Sequence, residues 1–138
     1  MTNRYQTQWS AQFAAAAELT RRGYLVSLTL GNAPVVDILA VSPSGKHFQI
    51  DVKGLSSKNF WLITEREVPD DLYYILVYVP RLPGAPEFFV VGGKELMSEV
   101  AALREKTLAA GRGWKESGAG INWGTCLAYR DRWDSLPG

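Results

Sequence analysis

Asp37 and the tripeptide Asp51-Val52-Lys53 stand fourteen positions apart in this 138-residue chain. Between them runs Ser42-Pro43-Ser44-Gly45-Lys46, a cluster with strong turn chemistry. Pro34 to Val41 before it and His47 to Gly54 after it read as two strands of a hairpin. Such a hairpin brings Asp37 back toward the acid-x-lysine end. Two carboxylates and an ammonium gathered there can hold a divalent cation and activate water on a phosphodiester.

The strand period of two sets the faces. His47, Gln49, Asp51 and Lys53 share one face, and Phe48, Ile50 and Val52 share the other, the expected core face. On the first strand, Val35, Asp37 and Leu39 lie opposite Val36, Ile38 and Ala40. An aspartate between Val36 and Ile38 is costly to bury without a partner or a metal.

What precedes the hairpin reads as an amphipathic helix from Asn3 to Arg22, closed by Gly23. Its apolar stripe, Tyr5-Trp9-Phe13-Ala16, is expected to face the sheet. Gln12 lies within about 60° of that stripe at 100° per residue, so it can face the sheet as well. Glu18 lies nearly opposite and is expected in solvent.

Helix, strand, Asp37 and then Asp51-x-Lys53 resembles, in that order, the motif of the PD-(D/E)XK nuclease superfamily. Gln8 to Gly23 is similar to the opening helix of that fold, and Tyr24 to Leu30 to its first strand. The similarity spans about the first two thirds of the chain. It is nearest to small bacterial members, some of them related to archaeal Holliday-junction resolvases. The resemblance implies an α/β, restriction-endonuclease-like fold, a central mixed β-sheet flanked by helices. It implies Mg²⁺ or Mn²⁺ held by Asp37 and Asp51, and a nucleic-acid substrate, DNA first. Lys53 would orient the attacking water, while Gln12 and Gln49 would position water or phosphate by hydrogen bonds. The Ile50 or Val52 carbonyl would assist. The chain departs from the family pattern at Val36, where many members carry proline. It departs again at Gln12, where many carry a glutamate, and that substitution removes a charge from the site.

Composition fits one domain over residues 1–138, with 46% apolar residues and five Trp, six Tyr and five Phe to build a core. No apolar run approaches the roughly 18 residues of a membrane helix, and no secretory leader is apparent. The single cysteine, Cys126, excludes an internal disulfide and fits a reducing cytoplasm. One Cys and one His make poor material for a zinc site or a Ser-His-Asp set, and no phosphate-binding glycine fingerprint occurs. The net charge of +1 gives no global support for nucleic-acid binding. Arg104, Lys106, Arg112 and Lys115 surround Trp114, first as a solvated helix end and second as a phosphate-contacting surface.

Further strands are expected near 24–30, 35–41, 47–53, 60–64, 72–79 and 87–91, and a helix from Lys94 to Ala110. The glycine-rich stretch Arg112 to Gly124 is expected to be mobile, and Thr125 to Leu136 to form a short strand or turn followed by a helical turn. His47 reads as exposed, Trp61 as core, Cys126 as a buried apolar group, and Ser56-Ser57-Lys58 as a loop. The principal reading is a metal-dependent nuclease; homodimerisation would supply the second site that a double-strand cut needs. Two readings compete with it. One is a catalytically weakened domain that binds nucleic acid. The other is a protein-interaction (immunity or accessory) module on the same fold.

Overall fold

The computed structural model describes residues 3–29 and 36–138. Leu30 and Val35, expected at strand ends, lie outside the described residues. The first helix, α1, spans Arg4–Arg21. Asn3 opens it with a capping box: its Oδ1 accepts from the Gln6 N–H at 2.9 Å, and the Gln6 side chain accepts from the Asn3 N–H at 3.0 Å. Gly23 ends the turn at φ 93°, a conformation glycine adopts without strain.

Six strands and a second helix follow: β1 Leu25–Leu28, β2 Ile38–Val41, β3 His47–Leu55, β4 Phe60–Leu62, β5 Leu72–Tyr78, β6 Glu87–Gly92 and α2 Gly93–Ala109. The central sheet has the order β1-β2-β3-β5-β6. It is mixed: β3 and β5 run parallel, and every other neighbouring pair is antiparallel. The chain is therefore α/β with a central mixed sheet flanked by helices, as expected.

The sheet separates two apolar layers. On one face Ala11, Ala15 and Leu19 of α1 pack on Ile38, Ala40, Phe48, Ile50 and Val52. On the other, α2 contributes Leu96 and Val100 against Tyr74, Leu76, Phe89 and Val91. A small two-stranded sheet of β4 and β7 (Gly120–Asn122) completes this second layer with Trp61 and Ile121. The Arg112 to Gly124 stretch thus holds a strand and a 3₁₀ turn at Glu116–Gly118 rather than a mobile loop. Gly120 makes this pairing possible, because a Cβ there would overlap the Trp61 carbonyl. The segment after it forms α3 (Trp123–Cys126) and 3₁₀ turns at Leu127–Tyr129 and Trp133–Ser135.

The helix face is a correction. Tyr5, Trp9 and Phe13 do not face the sheet; Tyr5 is 77% and Phe13 56% exposed. The buried face carries Thr7, Ala11, Gln12, Ala15 and Leu19. Close approach explains the choice. A Cβ on Gly54 of β3 would lie 2.9 Å from the Thr7 carbonyl oxygen and 3.0 Å from the Ala11 Cβ. The helix rests directly on the β3 backbone, and only small side chains fit between. The displaced rings satisfy each other in part, with Trp9 stacked on Phe13 at 5.6 Å.

Candidate active site

β2 and β3 pair from Val41↔His47 to Ile38↔Ile50. The Asp37 N–H donates to the Ile50 carbonyl at 3.0 Å and forms the last rung. Past it β3 runs on to Leu55, paired on its other side with β5. The edge that β2 leaves behind is completed by side chains. The Val52 N–H donates to Asp37 Oδ2 at 2.7 Å. Gln8 Nε2 donates to the Val52 carbonyl at 2.8 Å, and its Oε1 accepts from the Gly54 N–H at 3.1 Å. One amide from α1 thus acts as a strand neighbour, and only the tight seating of α1 on Gly54 lets so short a side chain reach.

This fork fixes the candidate catalytic groups. Asp37 is held by the Val52 N–H and by Gln12, whose Nε2 donates to Oδ1 at 3.1 Å. Gln12 reaches the site as expected, although the aromatic stripe that led to it does not. Asp51 is 9% exposed. Lys53 Nζ stands 3.3 Å from its Oδ1, in ion-pair contact but off hydrogen-bond geometry. The Oδ1 atom is buried and accepts no hydrogen bond. The Ile50 and Val52 carbonyls, expected as helpers, are already engaged by Asp37 and Gln8.

Two groups that the sequence did not single out complete the site. Tyr74 is the register partner of Asp51 across the parallel β3–β5 pair. Arg66 reaches in from the crossover between β4 and β5, with Nη2 3.8 Å from Asp51 Oδ2 and 3.3 Å from the Tyr74 hydroxyl. Periodicity carries no signal for Arg66, since it lies outside any strand. Gln8 did leave one: it stands four positions before Gln12, on the same side of the helix.

Gln49 is not brought to the site. Its Nε2 donates to Asp71 Oδ1 at 3.1 Å, near the start of β5. Sharing a sheet face with Asp51 did not suffice, because the two residues are one full strand repeat apart and Asp71 lies nearer. His47 is exposed, as expected. Lys58 is occupied elsewhere: its Nζ lies 5.3 Å and 5.5 Å from the ring centres of Tyr78 and Trp123. Glu18 pairs with Arg21 and Arg22 at the far end of α1. Trp61 and Cys126 are core residues. In the basic group near Trp114, Arg104 makes two hydrogen bonds to Glu65, at 3.0 and 3.1 Å.

Burial raises both carboxyl groups above the ordinary aspartate range. For Asp37, desolvation leads, opposed by the Val52 N–H and the Lys53 charge. For Asp51, desolvation again leads; Lys53 opposes it, the Asp37 charge adds to it, and Arg66 opposes it. Two carboxylates raised by burial, one of them raised further by the charge of the other, favour added positive charge.

The oxygen set fits a hard divalent cation: two carboxylates, one with a buried oxygen that accepts no hydrogen bond and has Lys53 Nζ as its ion-pair partner at 3.3 Å. No group of three or more His, Cys, Asp or Glu gathers among the described residues, so Asp37 and Asp51 are the two side chains that would hold such a cation. A cleft of about 600 Å³ opens beside Lys53, walled by Arg4, Tyr5, Gln8, Leu55, Phe60 and Leu62. Its lining holds two cations, Arg4 and Lys53, and no carboxylate.

No family model matches the chain, and no curated protein matches it. Among solved structures, a bacterial homing endonuclease matches with a TM-score of 0.58 and 16% sequence identity, over 98% of this chain and 91% of that one. The chain thus shares the fold of a nuclease along nearly its whole length. Among the described residues, no helix is long and apolar enough to cross a membrane.

Proposed function

We propose that this chain is a divalent-metal-dependent nuclease of the PD-(D/E)XK type, acting on DNA. The observation that carries the reading is the convergence at one strand fork of Asp37, Asp51 and Lys53, with Gln12 bonded to Asp37. The nuclease fold of the structural neighbour agrees with it.

Each residue then has a task. Asp37 and Asp51 would hold Mg²⁺ or Mn²⁺, with the buried Asp51 Oδ1 available because it accepts no hydrogen bond. When bound, the cation lowers the pKa of water and offsets charge growing on the phosphate. Lys53 orients the attacking water and stabilises negative charge, from a position already within contact of Asp51. Gln12 aims Asp37 through one hydrogen bond while adding no charge. A glutamate in its place would set a third carboxylate against a pair already raised by burial. The cation-bearing cleft beside Lys53 offers a path for the phosphate backbone. With one site per chain, a double-strand cut calls for a homodimer.

The test is cleavage of supercoiled plasmid, single-stranded DNA and a branched junction with Mg²⁺, Mn²⁺ or EDTA. Metal-dependent nicking, lost in both Asp51→Ala and Lys53→Ala, is the expected result. Well-folded wild-type protein that cuts none of these substrates would refute the reading. Salt-dependent DNA affinity without cleavage would then favour the weakened, binding-only alternative.

A further inference from the structure

We propose that Arg66 is an exchangeable counter-ion: it neutralises Asp51 in the free protein and holds a phosphate oxygen of the nucleic acid once Asp51 is engaged by a divalent cation. The proposal rests on the nuclease reading above and adds a residue to it.

The first support is charge. In their ionised forms Asp37 and Asp51 carry two negative charges against the two positive charges of Lys53 and Arg66, so the fork is balanced before any cation arrives. A dication that enters adds positive charge beside Lys53 and Arg66, and the repulsion favours release of the more loosely held of the two. Lys53 sits at 3.3 Å, on the same strand two positions along. Arg66 is the looser partner, 3.8 Å from Oδ2 and beyond hydrogen-bond reach.

The second support is placement. Arg66 is delivered by a crossover that is anchored from several sides. Its backbone N–H donates to the Met97 sulfur at 3.4 Å, Glu65 beside it is clamped by Arg104, and its Nη2 donates to the Tyr74 hydroxyl at 3.3 Å. The side chain keeps 29% exposure, so the guanidinium borders solvent while its base is fixed. A guanidinium has five N–H donors in a planar fork that suits phosphate oxygens. The Tyr74 hydroxyl and Asp51 engage only one of its nitrogens in these contacts.

The experiment separates counter-ion from scaffold. Tb³⁺ serves as a luminescent hard-cation probe, titrated without nucleic acid into wild type, Asp51→Asn, Arg66→Met and Arg66→Lys. Thermal melts confirm that each variant is folded. We expect Arg66→Met to bind Tb³⁺ about tenfold more tightly than wild type, because one repelling charge is gone, with Arg66→Lys close to wild type. Oligonucleotide binding is then followed by fluorescence anisotropy. Arg66→Met should weaken it about tenfold in Ca²⁺ and hardly at all in EDTA, where Asp51 retains the guanidinium.

Asp51-dependent Tb³⁺ binding that is unchanged or weaker in Arg66→Met would overturn the proposal and leave the carboxylate site standing. An equal loss of oligonucleotide affinity in Ca²⁺ and in EDTA would overturn the exchange. Tb³⁺ binding by no variant, or binding indifferent to Asp51→Asn, would remove the metal reading itself and the proposal with it.

Discussion

The two ends of β3 carry the same alternation of side chains and have different fates. At the N-terminal end, His47 is exposed and Gln49 turns outward to Asp71. At the C-terminal end, Asp51 on the same face is buried, beside Lys53, Arg66 and Tyr74. Local pattern does not separate these pairs; their cover does. Arg66 of the β4–β5 crossover reaches Asp51 in the C-terminal half of β3, and β4 borders that half across the cleft beside Lys53, where β2 has also left the ladder. Polar residues at an open end remain ordinary surface. At a covered fork the same residue types must satisfy one another, and their chemistry changes.

The largest expected effect would break this comparison outright. Lys53→Ala should lower metal-dependent cleavage by about a thousandfold or more, while Gln49→Ala and His47→Ala change it by less than about threefold. Initial-rate assays on nicked plasmid decide the matter. A Gln49 effect as large as that of Lys53 would show that the two ends work together.

Next in size is the seating of α1. Gly54→Val places carbon into the Thr7 carbonyl and the Ala11 methyl, and should destabilise the fold by about 3 kcal/mol or more. At the open end, Gln49→Val removes an exposed-edge amide contact to Asp71 and should cost under about 1 kcal/mol. Urea denaturation measures both. Gln8→Ala follows: it strips partners from the Val52 carbonyl and the Gly54 N–H, and should cost about 1–2 kcal/mol.

The smallest effect has the opposite sign. The Asp37 and Asp51 pKa values are raised on folding. In the window between their unfolded and folded pKa values, the native state binds more protons than the unfolded one. These groups therefore favour the fold most below the unfolded pKa, and that contribution is lost as pH rises through the folded pKa. Asp51→Asn should raise the melting temperature at pH 7 by a few degrees, roughly 1 kcal/mol, without a divalent cation. The gain should shrink toward pH 4. A variant less stable than wild type at pH 7 would show that the pairs with Lys53 and Arg66 outweigh the cost of burying the carboxylate.

Much of the site could be read from the chain because it is written in a strand period. Asp37, the Pro43-Ser44-Gly45 turn and Asp51-x-Lys53 define a hairpin whose geometry brings acid to acid with little outside help. The helix was legible as a helix, but its buried side was misassigned. The aromatic residues at 5, 9 and 13 make the more hydrophobic stripe, yet Ala11 and Ala15 are buried because β3 comes too close for rings. Gln12 sits at the border of both stripes and reached the site under either assignment.

Strand period and turn chemistry, both local properties of the backbone, determined the hairpin, its faces and the pairing of Asp37 with Asp51-x-Lys53. Only the tertiary structure decided which end of β3 is covered, that Gln8 completes its edge, and that Arg66 faces Asp51. Those outcomes depend on how closely two layers approach and on where a crossover returns, which residues 39 and more positions apart settle together.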